Sequence, residues 1–350
     1  MFFFNIYFRF ILLLINQFAS GIILSSASLA YVLMIEMTSS GYRSIAGNIA
    51  LSCFAFGGIL IALFAYLTYH WEKLLWTILV FIAITHPCLY FVPESPLYLY
   101  STKQYSKLEV VLRRIAKGNG RSESEWYSTF QEFMISQTMI KENKLTFGQM
   151  IRQLLFHRTN TLRLIISSLI AFTGMLLFIK ISYGLATMNI SPYLGILIGA
   201  IVEVFGYIIS SISMSTKLGR KYSLMVFTGL TCLCVVLIPI LTKRSTIGTV
   251  IISQTGKFAV SASIATTWIF ISELFPTSIR GGAIGITAAI SRIGAITAPV
   301  IDSSVNEQYL PITFYVYGSL ALLVLLLIIV LPETKNVSLD STGNSLDIQT

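Results

Sequence analysis

The chain alternates long, uninterrupted apolar blocks with short charged connections. Residues 45–69, 222–242 and 312–331 carry no charge at all. Within these blocks apolar side chains occupy every face of a helix rather than one stripe, the pattern of an element surrounded by apolar matter. A helix needs about 20 such residues to cross roughly 30 Å of hydrocarbon. The sequence therefore predicts spans near 10–35, 45–69, 74–92, 162–182, 193–215, 222–242, 247–272, 281–301 and 311–331. Residues 1–35 are too few for two crossings, so 1–9 are expected to be at most the stub of an earlier helix.

The charged connections repeat. Glu36 and Arg43 close one apolar run, and Glu273 and Arg280 close another, each member displaced by 237 residues. The PESP at 93–96 and the PET at 332–334 stand 239 residues apart in the same relation. A near-constant displacement predicts two halves built from the same series of membrane helices. The basic loop KLGRK at 217–221 has no counterpart the same distance upstream, so the first half is expected to be truncated. The expected organisation is a remnant first half (1–93), a connecting segment (94–161), a second half (162–331) and a tail (332–350).

Composition agrees with a membrane protein: 55% of residues are hydrophobic, 11% are charged, and mean hydropathy is +0.78. The net charge of +9 is a matter of topology. Seventeen Lys and Arg fall on one face of the predicted spans, eleven of them in 94–163, against Lys73, Lys243 and Arg244 on the other. The richer face is the cytoplasmic one by the positive-inside rule, which puts the C-terminus inside and requires no nucleic-acid partner. A cleaved leader is disfavoured, because MFFFNIYFRF lacks a basic start and Arg9 interrupts the apolar run. Cys53, Cys88, Cys232 and Cys234 all lie in predicted spans, so no disulfide framework is expected. The segment 94–161 opens with Ser95 and Pro96, and Tyr105, Leu108, Leu112 and Ile115 then predict one short amphipathic helix. No phosphate loop, zinc-ligand cluster or nucleophile elbow occurs. The chain is read as neither an enzyme nor a metal protein, with no cofactor expected.

The charges inside spans carry the chemistry. Glu203, Lys257 and Arg292 stand near the middle of their helices, and Lys180 nearer the end of its own. Each is expensive at mid-bilayer, by at least about 2.5–3.5 kcal/mol on insertion scales, and is expected to face a bundle interior or cavity. They mark either a polar pathway for a charged solute or a structural ion pair of Glu203 with Lys257 or Arg292. Tyr183, Tyr207 and Trp268 are candidates to line the same cavity.

These residues resemble a known family. PESPLYLYSTKQYSKLEVVLRRIAKGNG (93–120), ISYGLATMNI (181–190), IVEVFGYIISSISMSTKLGRK (201–221), the stretch TGKFAVSASIATTWIFISELFPTSIRGGAIGITAAISRIGAITAPVI (255–301) and LPETK (331–335) resemble the organic cation, anion and carnitine transporters, solute carrier family 22 of the major facilitator superfamily. The resemblance covers roughly 16–336 and places 181–190 and 201–221 at the family's seventh and eighth helices, and 255–301 at its tenth and eleventh. It departs in lacking the first helices, in having Asn16 where the family has an arginine, and in having only Trp268 and Phe270 of an aromatic run. It implies an all-α, polytopic, two-half major facilitator-type bundle with an incomplete N-terminal half, of about nine complete spans and a stub. It implies alternating access to a small organic ion at the plasma membrane. Arg292 stands where cation carriers tend to have aspartate, which favours a carboxylate-bearing solute. The implied solute contacts are Arg292, Lys257, Glu203 and Tyr183. The implied cytoplasmic latch is Glu36, Arg43, Lys217, Arg220, Lys221, Glu273 and Arg280. The competing expectation is a non-transporting membrane protein, a partial gene product or a fragment that binds a full-length homologue; a seven-span receptor predicts no internal repeat.

Overall fold

A computed structural model describes residues 10–18, 21, 30–31, 33–35, 37–39, 42–68, 70–101, 103–139, 147–186, 192–275 and 277–334. Among these residues there is no strand. An apolar block in hydrocarbon must satisfy its peptide groups internally, and the helix does so within one segment. From residue 43 on, the described residues form twelve α-helices: α1 (Arg43–Thr68), α2 (Trp71–Thr85), α3 (Pro96–Ser101), α4 (Tyr105–Gly118), α5 (Glu123–Met139), α6 (Phe147–Phe156), α7 (Arg158–Ala186), α8 (Pro192–Ser215), α9 (Gly219–Thr242), α10 (Thr246–Leu274), α11 (Thr277–Ser304) and α12 (Leu310–Val330). Of the expected span 10–35, residues 19–20, 22–29 and 32 lie outside the described residues, as do Glu36 and the tail from 335.

Six of these helices are long and apolar enough to cross a membrane: Ile45–Thr68, Arg158–Gly184, Tyr193–Ser215, Gly219–Thr242, Ile279–Ser304 and Leu310–Val330. The expected span at 74–92 is built as a 15-residue helix, α2, followed by a 3-10 turn at His86–Phe91 that contains Pro87. Helix α10 has the length at 29 residues, but its many hydroxyl side chains with Gln254 and Lys257 leave it outside the six.

The chain divides into two compact units. The first takes in the chain up to Gly47 and Ile82–Glu142. Here the Ser95 hydroxyl accepts the Tyr98 N–H at 3.3 Å, starting α3 as its sequence predicted. Helix α4 buries Leu108 and Ala116 and ends at Asn119–Gly120, where Gly120 takes φ +69° and Arg121 N–H returns to Ala116 O at 2.9 Å. The connecting segment holds more helix than the single amphipathic one expected. Helix α5 carries Trp126, Phe130 and Phe133, and Phe133 meets Tyr100 with ring centroids 5.5 Å apart. Its polar residues obscure that spacing in the sequence.

The second unit takes in Asn48–Phe81 and Asn143–Thr350. Helix α7 lies along α11, and α10 lies among α7, α8 and α9, with α12 packed on α9 and α7. Helix α10 is central because its buried side chains are small: Ala259, Ser261, Ala262, Ser263, Ala265, Thr266 and Thr267 admit neighbours on every side. A Cβ on Gly206 of α8 would lie 2.8 Å from the Phe258 carbonyl oxygen of α10, and one on Gly294 of α11 would strike the Phe172 carbonyl of α7. Hydroxyl pairs also join α10 to its neighbours, Ser210 of α8 with Thr266 and Thr228 of α9 with Ser263, both at 3.0 Å. One apolar core gathers Leu164, Leu224, Phe270, Leu274, Phe275 and Ile328 toward one end, and a second gathers Leu176, Ile181, Val235, Val260 and Tyr317.

Candidate functional site

The middle of the second unit brings Glu203 of α8 and Lys257 of α10 together, with Nζ 3.4 Å from Oε2 and only 7% of either side chain exposed. Two further groups complete the arrangement. The Tyr207 hydroxyl, one helical turn beyond Glu203, donates to Oε1 at 2.6 Å. The Lys257 ammonium donates to the Ser182 hydroxyl of α7 at 2.7 Å and sits 3.2 Å from the Phe178 ring centroid. Three helices are thereby tied through one buried charge pair. Of the two partners the sequence allowed for Glu203, the fold selects Lys257 and not Arg292.

Arg292 stands elsewhere. Helix α11 turns Thr287, Ser291, Gly294 and Ala298 inward, a stripe at helical spacing, and Arg292 falls on the exposed side with Ile293 and Ile296. Its guanidinium has no hydrogen-bond or ion-pair partner among the described residues. Tyr183 is also exposed, at 58%, one residue beyond the serine that receives Lys257. Tyr207 is buried as a partner of Glu203, Trp268 is half-buried, and Phe270 is fully buried core.

Lys180 has a partner that sequence reasoning missed. Its ammonium donates to Asp302 Oδ1 of α11 at 2.7 Å and to the Thr313 hydroxyl of α12 at 2.9 Å, under the Phe314 ring at 4.3 Å. Asp302 reads in sequence as the polar end of a helix, and only the packing of α7 against α11 and α12 identifies it as a counter-ion.

The expected latch residues divide at the charged end of the bundle. Arg220 at the start of α9 meets Glu273 at the end of α10, with Nη2 donating to Oε1 at 2.9 Å and Nε 2.9 Å from Oε2. The Thr334 hydroxyl donates to the same carboxylate at 2.9 Å. Glu333, which the sequence reading passed over within its PET motif, accepts the N–H groups of Arg220 and Lys221 at 3.0 and 3.1 Å, a carboxylate cap on α9. The contact requires Gly219, whose φ is +76° and whose Cβ would lie 2.7 Å from that carboxylate. The Lys221 ammonium caps the other direction, donating to Ile329 O at 2.7 Å in the last turn of α12. Arg280 Nε donates to Phe275 O at 3.3 Å. Lys217 is exposed and joins none of these contacts, Arg43 lies in the first turn of α1, and Glu36 is outside the described residues. Among the described residues no group of His, Cys, Asp or Glu is arranged to hold a metal ion.

Comparison with known proteins fits this framework. The model of the sugar (and other) transporter family matches residues 1–345. The mouse solute carrier family 22 member 21 is 27% identical over 320 residues, covering 89% of this chain and 55% of the relative. The human organic cation/carnitine transporter 2 is 27% identical over 331 residues with the same coverage, and the Drosophila melanogaster organic cation transporter protein is 28% identical, covering 94% of this chain and 60% of the relative. The chain thus spans little more than half the length of these relatives. Among solved structures, the proton:xylose symporter XylE bound to 6-bromo-6-deoxy-D-glucose superposes with a TM-score of 0.71 at 18% identity, over 91% of this chain and 70% of that one. The inward-open xylose transporter XylE from E. coli gives 0.62 at 16%, over 90% and 68%. The helical fold is shared, the family model runs through nearly the whole chain, and the charged motifs stand where its helices end: the chain belongs to the sugar (and other) transporter family of the major facilitator superfamily and is a multi-pass membrane protein similar to members of solute carrier family 22.

Proposed function

We propose that this protein moves a small organic ion across the membrane by alternating access, and that Arg292 favours solutes bearing a carboxylate. The observation that carries the proposal is the Arg292 guanidinium, near the middle of a span, exposed and unpartnered among the described residues, while the buried Lys257 is neutralised by Glu203. A guanidinium in a span is retained at a free-energy cost, and a planar bidentate donor answers a carboxylate. Tyr183 adds an exposed aromatic face on α7. Glu203 and Lys257 act as a pair: a solute that reaches them must compete with their mutual contact, so they respond to occupancy rather than supply a free charge. The relatives named for organic cations and carnitine support an organic ion as the solute class. The bias of Lys and Arg to one face supports a cytoplasmic C-terminus, and the plasma membrane is the proposed location.

A second reading is favoured by the geometry at Lys257. The 3.4 Å pair, with Tyr207 and Ser182 completing it, is a structural cross-tie that a non-transporting membrane protein would also need. Uptake of charged probes into cells, normalised to surface expression, separates the two. Arg292→Asp is expected to abolish uptake of organic anions and zwitterions and to admit organic cations, and Arg292→Lys to retain part of the anion uptake. Unchanged selectivity in a well-expressed Arg292→Asp protein removes Arg292 from the solute path.

A further inference from the structure

A groove of about 740 Å3 runs between α9 and α12 at the charged end of the bundle. Tyr222 and Val226 form one wall, four residues and about 6 Å apart along α9, with Leu218 just before that helix. Leu326 and Ile329 form the other wall, and Lys217 stands at the mouth. All six side chains are exposed. Both helices are apolar spans, so the walls lie at hydrocarbon depth and the mouth at the interface.

The charge balance at the mouth narrows the occupant. Glu273 is engaged by Arg220 and Thr334, and Glu333 by the backbone N–H groups that open α9. Lys221 is directed onto the Ile329 carbonyl. Lys217 is left as a cation with no hydrogen-bond or ion-pair partner among the described residues, beside the exposed Tyr222. We propose that this groove is a binding site for an anionic phospholipid, its acyl chain between α9 and α12 and its headgroup on Lys217 and the Tyr222 hydroxyl. A second copy of the chain fits less well, because a two-fold contact through this groove would set Lys217 near its own symmetry mate. The site requires only that the chain be embedded in a bilayer, so it stands or falls apart from the solute proposed above.

The test reconstitutes the full chain in phosphatidylcholine vesicles containing a trace of either phosphatidylserine or phosphatidylcholine with a photoreactive acyl chain. The two probes share phosphate and chain and differ in net charge. Peptide mapping is expected to place adducts on residues 222–226 and 325–329, with several-fold more from phosphatidylserine. Lys217→Gln is expected to cut that excess about five-fold, the usual worth of one interfacial cation, and Lys217→Glu to reverse it. Raising the salt to about 1 M, where screening acts within roughly 3 Å, is expected to reduce the excess in the unaltered protein, a check that needs no variant. Equal labelling by the two probes identifies ordinary bulk solvation and overturns the proposal. An excess that survives both Lys217→Gln and high salt overturns it too, as does cross-linking of one copy to another through the groove.

Discussion

Replacing Glu203 with Gln leaves the Lys257 ammonium without its counter-ion at a site where 7% of the side chain is exposed. Removing one partner of a buried ion pair destabilises by about 3–5 kcal/mol. Lys257 would keep the Ser182 hydroxyl at 2.7 Å and the Phe178 ring at 3.2 Å. A desolvated cation–π contact is worth about 2 kcal/mol or more, which puts Glu203→Gln at the low end, near 3 kcal/mol. Lys257→Met strands a carboxylate that keeps only the Tyr207 hydroxyl, so its effect belongs at the high end, about 4–5 kcal/mol. Combining the two removes both charges and is expected to destabilise less than the sum by at least about 2 kcal/mol. That magnitude separates the possible interactions, because interhelical hydrogen bonds in membrane proteins couple by only about 0.6 kcal/mol on average. The measurement is a double-mutant cycle by reversible unfolding in mixed micelles, read by far-ultraviolet circular dichroism. Additivity within about 0.5 kcal/mol would refute the assignment of Glu203 and Lys257 as an ion pair.

Two further outcomes follow from the packing and from the charged end. Gly206→Ala and Gly294→Ala each drive a methyl into a backbone carbonyl and should each destabilise by about 1–3 kcal/mol or more, whereas Gly281→Ala, whose Cβ meets nothing within 4 Å, should be neutral or gain up to about 1 kcal/mol from helix propensity; the same unfolding assay reads all three, and equal effects would contradict the helix spacing. Glu273→Gln weakens the tie between α9 and α10 at Arg220 and should change the maximal rate of uptake more than the apparent affinity; a loss confined to affinity would assign Glu273 to solute binding instead.

Much of this architecture was legible because hydrocarbon tolerates few solutions. Apolar blocks about 20 residues long had to be helices: 222–242 falls within α9, and 312–331 ends one residue past α12. The motif ELFPTSIR marks the end of α10 and the start of α11, and KLGRK the start of α9, because charges and helix breakers must gather where the chain leaves the bilayer. Arg220 and Glu273 could be named as candidates for the same reason. Helix α5 was not legible, since its aromatic residues are interleaved with polar ones and close against each other and Tyr100.

What the sequence by itself determined is therefore the order of the apolar helices, their charged boundaries, and which ionisable residues stand within them. Tertiary structure decided the partners. Glu203 could have met Lys257 or Arg292, and the close approach of α8 to α10 at Gly206 brings it to Lys257. Lys180 found Asp302 and Thr313 because α11 and α12 both pack on α7, and Glu333 reached α9 because Gly219 leaves room for its carboxylate. A one-dimensional pattern fixes how each helix presents its faces along its own axis. Which faces meet depends on small residues and helix crossings far apart in the chain, and a charge in a membrane is either stranded or satisfied by what lies across that contact.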